Sequence, residues 1–310
     1  MLNGVLDDHI VVYGKGLVHM LDFRIHTFLC VCRHMNYTKA AAELQITQPA
    51  VSQHIRHLEK EYQTKLFDYT GKRLELTQAG QILLNAATTI SHDNVMLKQR
   101  LQDLQQNNKS IAFGATHTIG EFEIIDRLAD FLHEHADVNI RMKIADTDKL
   151  LKAVDEGIID FAIVEGFFDQ DQYETLLFSN EPLIAVCGPD YDAPSEMSLA
   201  DLMRYRLIVR EKSAGTRELL ERSLAEHSLT ISDFPFRHEV GSPQAVKGLT
   251  CRNCGVAFLY EKSVRQEVND GRLKEIAIRD FSVTHAVTFL WRKGSMYSAM
   301  FRQMYSRLKG

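Results

Sequence analysis

The chain has few cysteines and no long apolar run. Its 310 residues hold five cysteines, Cys30, Cys32, Cys187, Cys251 and Cys254. A small, odd number in a large chain excludes a disulfide framework. No apolar run approaches the ~18 residues that signal a membrane-spanning helix, so no contact with a membrane is expected. The opening MLNGVLDDHIVVYGKGL lacks both a basic segment and a small-residue cleavage site, and a cytoplasmic location is expected. The patterns GxSxG, HExxH and the phosphate-binding loop are missing as well. His117 beside Thr116 is a conceivable base, but no third member completes a catalytic set, so the chain is expected not to be an enzyme. The thirteen histidines and five cysteines show no two-plus-two ligand spacing, and neither a metal nor a cofactor is expected.

What is present is an ordinary globular balance, 45% apolar and 25% charged, in a chain long enough for two or three domains. The formal net charge of −5 is unevenly spread. Residues 1–109 hold 12 basic and 10 acidic side chains, and residues 110–310 hold 24 and 31. The mildly basic front permits an anionic partner there and sits on an acidic body.

Residues 38–57 read TKAAAELQITQPAVSQHIRH. The preceding LDFRIHTFLCVCRHM has the spacing of a packed helix. Thr38 is placed to cap a short helix KAAAELQI, and Thr47 to cap the next, with Pro49 in its first turn. Val51, Ile55, Leu58 and Tyr62 line one face of that helix, and Gln48, Ser52, Gln53 and Arg56 occupy or flank the other. This is a helix-turn-helix arrangement, whose second helix enters the DNA major groove with its N-terminal end foremost. The following KLFDYTGKRLELTQAG predicts a small hairpin turning at Gly71, with Lys72 and Arg73 at its tip, suited to phosphate contact.

Over residues 20–80, through TKAAAEL, TQPAVSQHIRHLE, LF and LTQAG, the chain resembles LysR-type transcriptional regulators. The resemblance implies a winged helix-turn-helix over 20–80, a linker helix over 81–108 and a two-lobed, periplasmic-binding-protein-like α/β effector domain. It places Thr38, Gln48, Pro49, Ser52, Gln53, Arg56, Lys72 and Arg73 against double-stranded DNA. Ser52 and Gln53 suit base reading, because a glutamine pairs bidentately with adenine. Family members usually begin where Met20 stands, so residues 1–19 are expected to be an extension outside the DNA-binding fold, from a start assigned too far upstream.

Leu83, Ile90, Leu97 and Leu104 recur every seven residues, with Ala87, Asn94 and Leu101 in the companion positions. A heptad seam of this kind predicts dimerisation. A homodimer or homotetramer on a roughly palindromic promoter site, touching RNA polymerase, is what the family resemblance adds.

From Ser110 strands and helices alternate, which implies a parallel sheet with covered faces. One lobe is expected over 109–183 plus 285–310, with the strand TFLWRKG returning to the first sheet, and the other over 184–284. Three strand-to-helix turns converge on the cleft in this fold: Thr116, His117 and Thr118; Thr147; and Ser213, Gly215 and Thr216, with Arg217 nearby. Hydroxyls and free helix N-termini there suit a small anionic effector, with Glu165 and Gly166 on the floor. The THT element also looks like that of sulfur-assimilation members, which bind small acidic effectors or sulfate. Near 250 the chain reads CRNCGVAFLY, with Asn253 where relatives often carry glycine, and asparagine tolerates the positive φ needed there. Cys251 and Cys254 form a CxxC that is either two packed small side chains or a redox sensor. A solute-binding module without regulation is the alternative from another class.

Overall fold

The computed structural model describes residues 22–106 and 108–309, and the predicted extension 1–19 lies outside them. Two compact units part between Asn94 and Val95.

The first unit opens with α1 (Phe23–His34), capped by Asp22, whose carboxylate accepts from the Arg24 amide. Helix α2 (Tyr37–Leu44) is capped by Asn36, which accepts from the Lys39 amide at 2.9 Å. Thr38 is therefore not the cap: asparagine is at least as good an acceptor and stands two residues earlier. Thr47 does cap α3 (Gln48–Glu61), accepting from the Ala50 amide, and Pro49 fits its first turn. Val51, Ile55 and Leu58 are buried against Phe28 and Val31 of α1 and Ala40, Ala41 and Leu44 of α2. Tyr62 does not join them and remains 48% exposed, because α3 ends at Glu61 and Tyr62 leaves the helical repeat. Strands β1 (Phe67–Thr70) and β2 (Arg73–Leu76) form the expected hairpin, with Phe67 opposite Leu76 and Gly71 at φ +66° in the turn.

Helix α4 (Gln78–Gln106) begins three residues before the predicted 81, because the Thr77 hydroxyl accepts from the Gly80 amide and caps it. Leu83, Leu84 and Ala87 pack on the helix-turn-helix core, so Leu83 is already used within its own unit. Ile90, Leu101 and Leu104 stand 52%, 53% and 78% exposed, and Leu97 is half-buried.

In the second unit β3 (Lys109–Ala115) runs parallel to β4 (Val138–Ile144) and β5 (Phe161–Val164). The connection after β3 is a π-helical turn Ile119–Glu123 followed by α5 (Ile125–Glu134). Helix α6 (Thr147–Asp155) leads to β5. Strand β6 (Tyr173–Cys187) then enters the other half of the sheet, made with β7 (Glu196–Met197), α7 (Leu199–Leu202), β8 (Leu207–Arg210), α8 (Gly215–Glu226), β9 (Arg237–Val240), α9 (Pro243–Thr250), β10 (Val256–Tyr260), α10 (Glu261–Asn269) and β11 (Lys274–Ile278). Strand β12 (Val283–Arg292) returns antiparallel to β6 and pairs with β5, and α11 (Ser298–Lys309) ends the chain. The sheet order is β4-β3-β5-β12-β6-β10-β8-β9. Its flanks are parallel as predicted, but β6 and β12 make the centre antiparallel, because they carry the two crossings between the halves. A ring stack centred on Phe161, with Phe113 at 5.2 Å and Phe289 at 4.6 Å, fills the core beside β3 and β5.

One glycine fixes how α4 leaves the wing. A Cβ on Gly80 meets the Leu66 carbonyl oxygen at 2.1 Å, a backbone atom with little room to give. Gly80→Ala is expected to cost about 1–3 kcal/mol through this overpacking. The measurement is the urea midpoint of the full chain; an unchanged midpoint means that the Leu66 backbone yields freely.

Candidate functional site

Helix α3 separates its two chemistries cleanly. Its apolar side is sealed in the core, while Gln48, Pro49, Gln53 and Arg56 are exposed and Ser52 is half-buried. The Gln48 amide donates to the Ser52 hydroxyl at 2.9 Å, and Arg56 Nε donates to the Ser52 carbonyl at 3.2 Å. These bonds keep three polar side chains along one strip. Thr38 is exposed in the first turn of α2, and Lys72 and Arg73 are exposed at the hairpin tip. Tyr69, 63% exposed on β1, adds an aromatic ring that the sequence reading passed over. His54 is not on the polar strip: its Nδ1 lies 2.9 Å from the Thr27 hydroxyl and its ring meets the edge of Phe23.

Cys30, His34 and Glu43 bring a sulfur, a ring nitrogen and a carboxylate oxygen within 4.8 Å of one another. Glu43 is already engaged by Arg33 and His34, and burial pushes the Cys30 thiol up to about 11. This cluster is a polar tie between α1 and α2.

In the second unit the three predicted turns meet at Glu165 and Gly166, at the end of β5. The Thr147 hydroxyl donates to the Glu165 carbonyl at 2.6 Å. Gly215, opening α8 in the other half of the sheet, lies so near that a Cβ on it meets Glu165 Cγ at 2.9 Å. The Thr118 hydroxyl faces the Glu165 carboxyl. Thr116, Thr118, Glu165 and Thr216 are all buried, and Thr116 Oγ1, Thr216 Oγ1 and Glu165 Oε2 have no hydrogen-bond partner among the described residues. His117 is half-buried beside Glu121 (3.7 Å) and Asp146 (3.9 Å), and Ser213 is exposed.

Arg217 does not add charge to this cluster. It pairs with Glu221 at 2.7 Å and donates to the Arg210 carbonyl, facing a separate cavity of about 530 Å³ with Lys212, Arg237 and Glu239. The cation that does act on Glu165 is Arg210, which ends β8, is 4% exposed and chelates Glu211 at 2.7 and 2.8 Å. Tyr260, ending β10, and His285 on β12 complete the cluster. All three sit on strands that the sequence marks as apolar; a polar residue interrupting or ending such a strand was the available signal.

The electrostatics follow from burial. Removal from water pushes Glu165 up to about 7, although Tyr260, Arg210 and Thr118 favour its anion. Burial also brings the His285 imidazole down to about 4 and raises the Tyr260 phenol well above its ordinary value. Asn253 adopts φ +61° as expected, and its side-chain oxygen accepts from the Asp190 amide. Cys251 and Cys254 are free and half-buried, and burial raises the Cys251 thiol.

Residues 24–81 match the family described as bacterial regulatory helix-turn-helix protein, lysR family, and residues 104–310 match the LysR substrate binding domain. The RuBisCO operon transcriptional regulator of Allochromatium vinosum is 27% identical over 287 residues, covering 91% of this chain and 93% of the relative. Among solved structures, an OxyR C206 mutant of Corynebacterium glutamicum gives a TM-score of 0.59 at 18% identity, covering 93% of this chain and 90% of that one. The CcmR regulatory domain of Synechocystis PCC6803, in complex with 2-PG, gives 0.57 at 17% identity, covering 65% and 96%. An N-terminal helix-turn-helix followed by an α/β effector-binding domain, matched by both family descriptions, makes this chain a member of the LysR-type transcriptional regulators.

Proposed function

We propose that this regulator reads a roughly palindromic promoter site as a homodimer or homotetramer, in the cytoplasm, and that a small anionic effector bound between the halves of its sheet alters its engagement with RNA polymerase. The observation that carries the effector reading is the convergence of Thr116, Thr118, Thr147 and Gly215–Thr216 on Glu165, with two buried hydroxyls left unpartnered. Buried hydroxyls at helix N-termini are costly when unpaired and suit an oxyanion. CcmR, whose regulatory domain was solved with 2-PG, supports the same class of ligand. Effector action is then a population shift, limited to the ligand's differential affinity for the two states.

The redox alternative at Cys251 and Cys254 is the weaker reading. A thiol raised by burial is less often thiolate and reacts slowly with oxidants.

Base reading and phosphate contact separate by mutation. Gln53→Ala is expected to cost about 1–3 kcal/mol on a selected duplex and little on a scrambled one. Lys72→Ala is expected to weaken both and to lower the salt slope by about 1. Anisotropy titrations over a salt series distinguish them, and equal losses for Gln53→Ala on both duplexes remove it from base reading.

For assembly, Ile90, Leu101 and Leu104 are the exposed apolar positions of the predicted seam, whereas Leu83 packs on its own core. Ile90→Lys with Leu104→Lys is expected to separate the protomers' α4 helices and abolish cooperative binding to a two-half-site duplex. Sedimentation of the double variant checks this; an unchanged assembly places the interface elsewhere.

The cleft is tested by Thr116→Val, which keeps the shape and removes the hydroxyl. Anion affinity is expected to fall about 5–30-fold, with DNA binding retained but no longer responsive to the anion. Calorimetry with the small oxyanion that most raises the melting temperature provides the readout, and an unaltered affinity leaves Thr116 as a structural group only.

A further inference from the structure

A carboxylate is an unexpected lining for an anion site, and its surroundings specify what it must do. Gly166 N–H donates to His285 Nε2 at 3.1 Å, and a backbone amide can only donate. His285 Nε2 is therefore the acceptor nitrogen and Nδ1 carries the proton. Nδ1–H then donates to the Tyr260 oxygen at 2.6 Å. The phenol proton is thereby left to turn toward Glu165, which Tyr260 faces. The chain Gly166, His285, Tyr260 has one direction, and it faces a carboxyl whose oxygen Oε2 has no hydrogen-bond partner among the described residues. Thr116 Oγ1 and Thr216 Oγ1 are the other two buried atoms in that condition at this place.

We propose that Glu165 enters the anion complex as the neutral acid, so that each monoanion bound takes up one proton from solvent. This rests on the reading of the cleft as an anion site. Protonated, Glu165 offers a hydroxyl donor beside Thr116 and Thr216 while its other oxygen still faces Tyr260 and Thr118. Ionised, it sets a negative charge against the ligand in a place closed to water. The exchange balances: the carboxylate gains a proton, the anion supplies the charge that was lost, and the net charge of the cleft is unchanged.

Charged and titratable groups face Glu165 from the elements around it, and burial raises Glu181 in the same direction. Arg210 from β8 faces it but is chelated by Glu211. Glu123 from the π-helical turn faces it and is bound by Lys262 of α10, which also holds Glu181 of β6. Tyr260 from β10 is kept protonated by burial, and His285 from β12, which also senses Glu218 of α8, is kept neutral by burial down to about 4. Helix α8 approaches Glu165 through Gly215, and α6 through the Thr147 hydroxyl on the Glu165 carbonyl. His117, beside Glu121 and Asp146, stands near enough to Glu211 to need its own control.

The test uses the full chain and two monoanionic probes whose charge is constant near neutral pH, nitrate and shikimate. The Kd of the parent is expected to be about tenfold higher at about pH 8 than at about pH 6. Calorimetry in buffers of different ionisation enthalpy is expected to show close to one proton taken up per anion at the higher pH. Glu165→Gln, fixed in the neutral shape, is expected to bind at pH 8 about as tightly as the parent at pH 6, with a flat profile, and His117→Gln is expected to keep the parent's profile. If Glu165→Gln does not fold, the buffer dependence of the parent decides alone. Binding that Thr116→Val weakens but pH leaves unchanged overturns the proton coupling and leaves the anion reading intact. Transfer of the pH dependence to His117, or complete loss of binding in folded Glu165→Gln at both pH values, also overturns it. Failure of both probes to bind the parent at either pH overturns the anion reading itself.

Discussion

The effector-binding unit depends on one antiparallel ladder. Strands β6 and β12 pair from Val283 opposite Leu183 to Arg292 opposite Tyr173, with a bulge at Val287/Thr288. Through this ladder the two halves of the sheet share their central strands. β5 adds to β12 on one side, while β10 and β11 add to β6 further along. The halves can therefore change their relative angle only by twisting or bending these two strands, and a bulge is where a strand pair bends most readily. His285 lies on β12 opposite Glu181, and it bonds Gly166 from one half and Tyr260 from the other. The ladder thus carries, at its crossing, the side chain that ties both halves to the cleft.

Magnitudes decide what Glu165 does there. A carboxyl that titrates near 7 costs almost nothing to protonate at that pH, and about 1.4 kcal/mol one unit higher. Two unit charges about 4 Å apart repel by about 4 kcal/mol at the effective dielectric of a partly screened site. Neutralisation is the smaller cost, so an incoming anion favours the acid. The same shift has a stability consequence of definite sign. The folded-state pKa of Glu165 lies above the carboxylate's usual 4.5, so its contribution is complete below that value and is lost as pH rises through about 7. This contribution to stability is greatest on the acid side of neutrality, where the proposed anion complex is also favoured.

Much of this was legible from sequence, and the failures have identifiable causes. The α3 polar strip, its Thr47 cap, Pro49 and the hairpin are local, and local chemistry reports itself in adjacent residues. The Thr38 assignment failed because Asn36, a competing cap, stood just upstream. The α4 heptad gives a period, but a period does not say which member packs on the protein's own core, and Leu83 does. The cleft hydroxyls were found because each follows a strand and precedes a helix. Arg210, Tyr260 and His285 were missed because they meet Glu165 across the sheet, from strands far apart in sequence. Arg217 was misdirected for a related reason: on a helix that starts at the cleft, its side chain points to the far side, where Glu221 lies one turn on.

Glu165 itself illustrates why a site residue can be recognised before its role is. At the end of a buried strand a glutamate looks like a polar boundary, and the sequence supplies no hint that its carboxyl is 2% exposed. Burial converts it from a fixed negative charge into a group that responds to what enters. A permanently charged carboxylate in the same place excludes anions, and a glutamine accepts them without regard to pH. On the proposed reading the acid does neither, because its charge state is set by the occupant as much as by the solvent. That conditional charge depends on water being shut out, and Gly215 stands directly against the glutamate stem. Glycine is what permits that approach, since a Cβ there strikes the stem at 2.9 Å. The smallest residue of one half of the sheet thereby helps to cover the buried carboxyl at the end of β5 in the other.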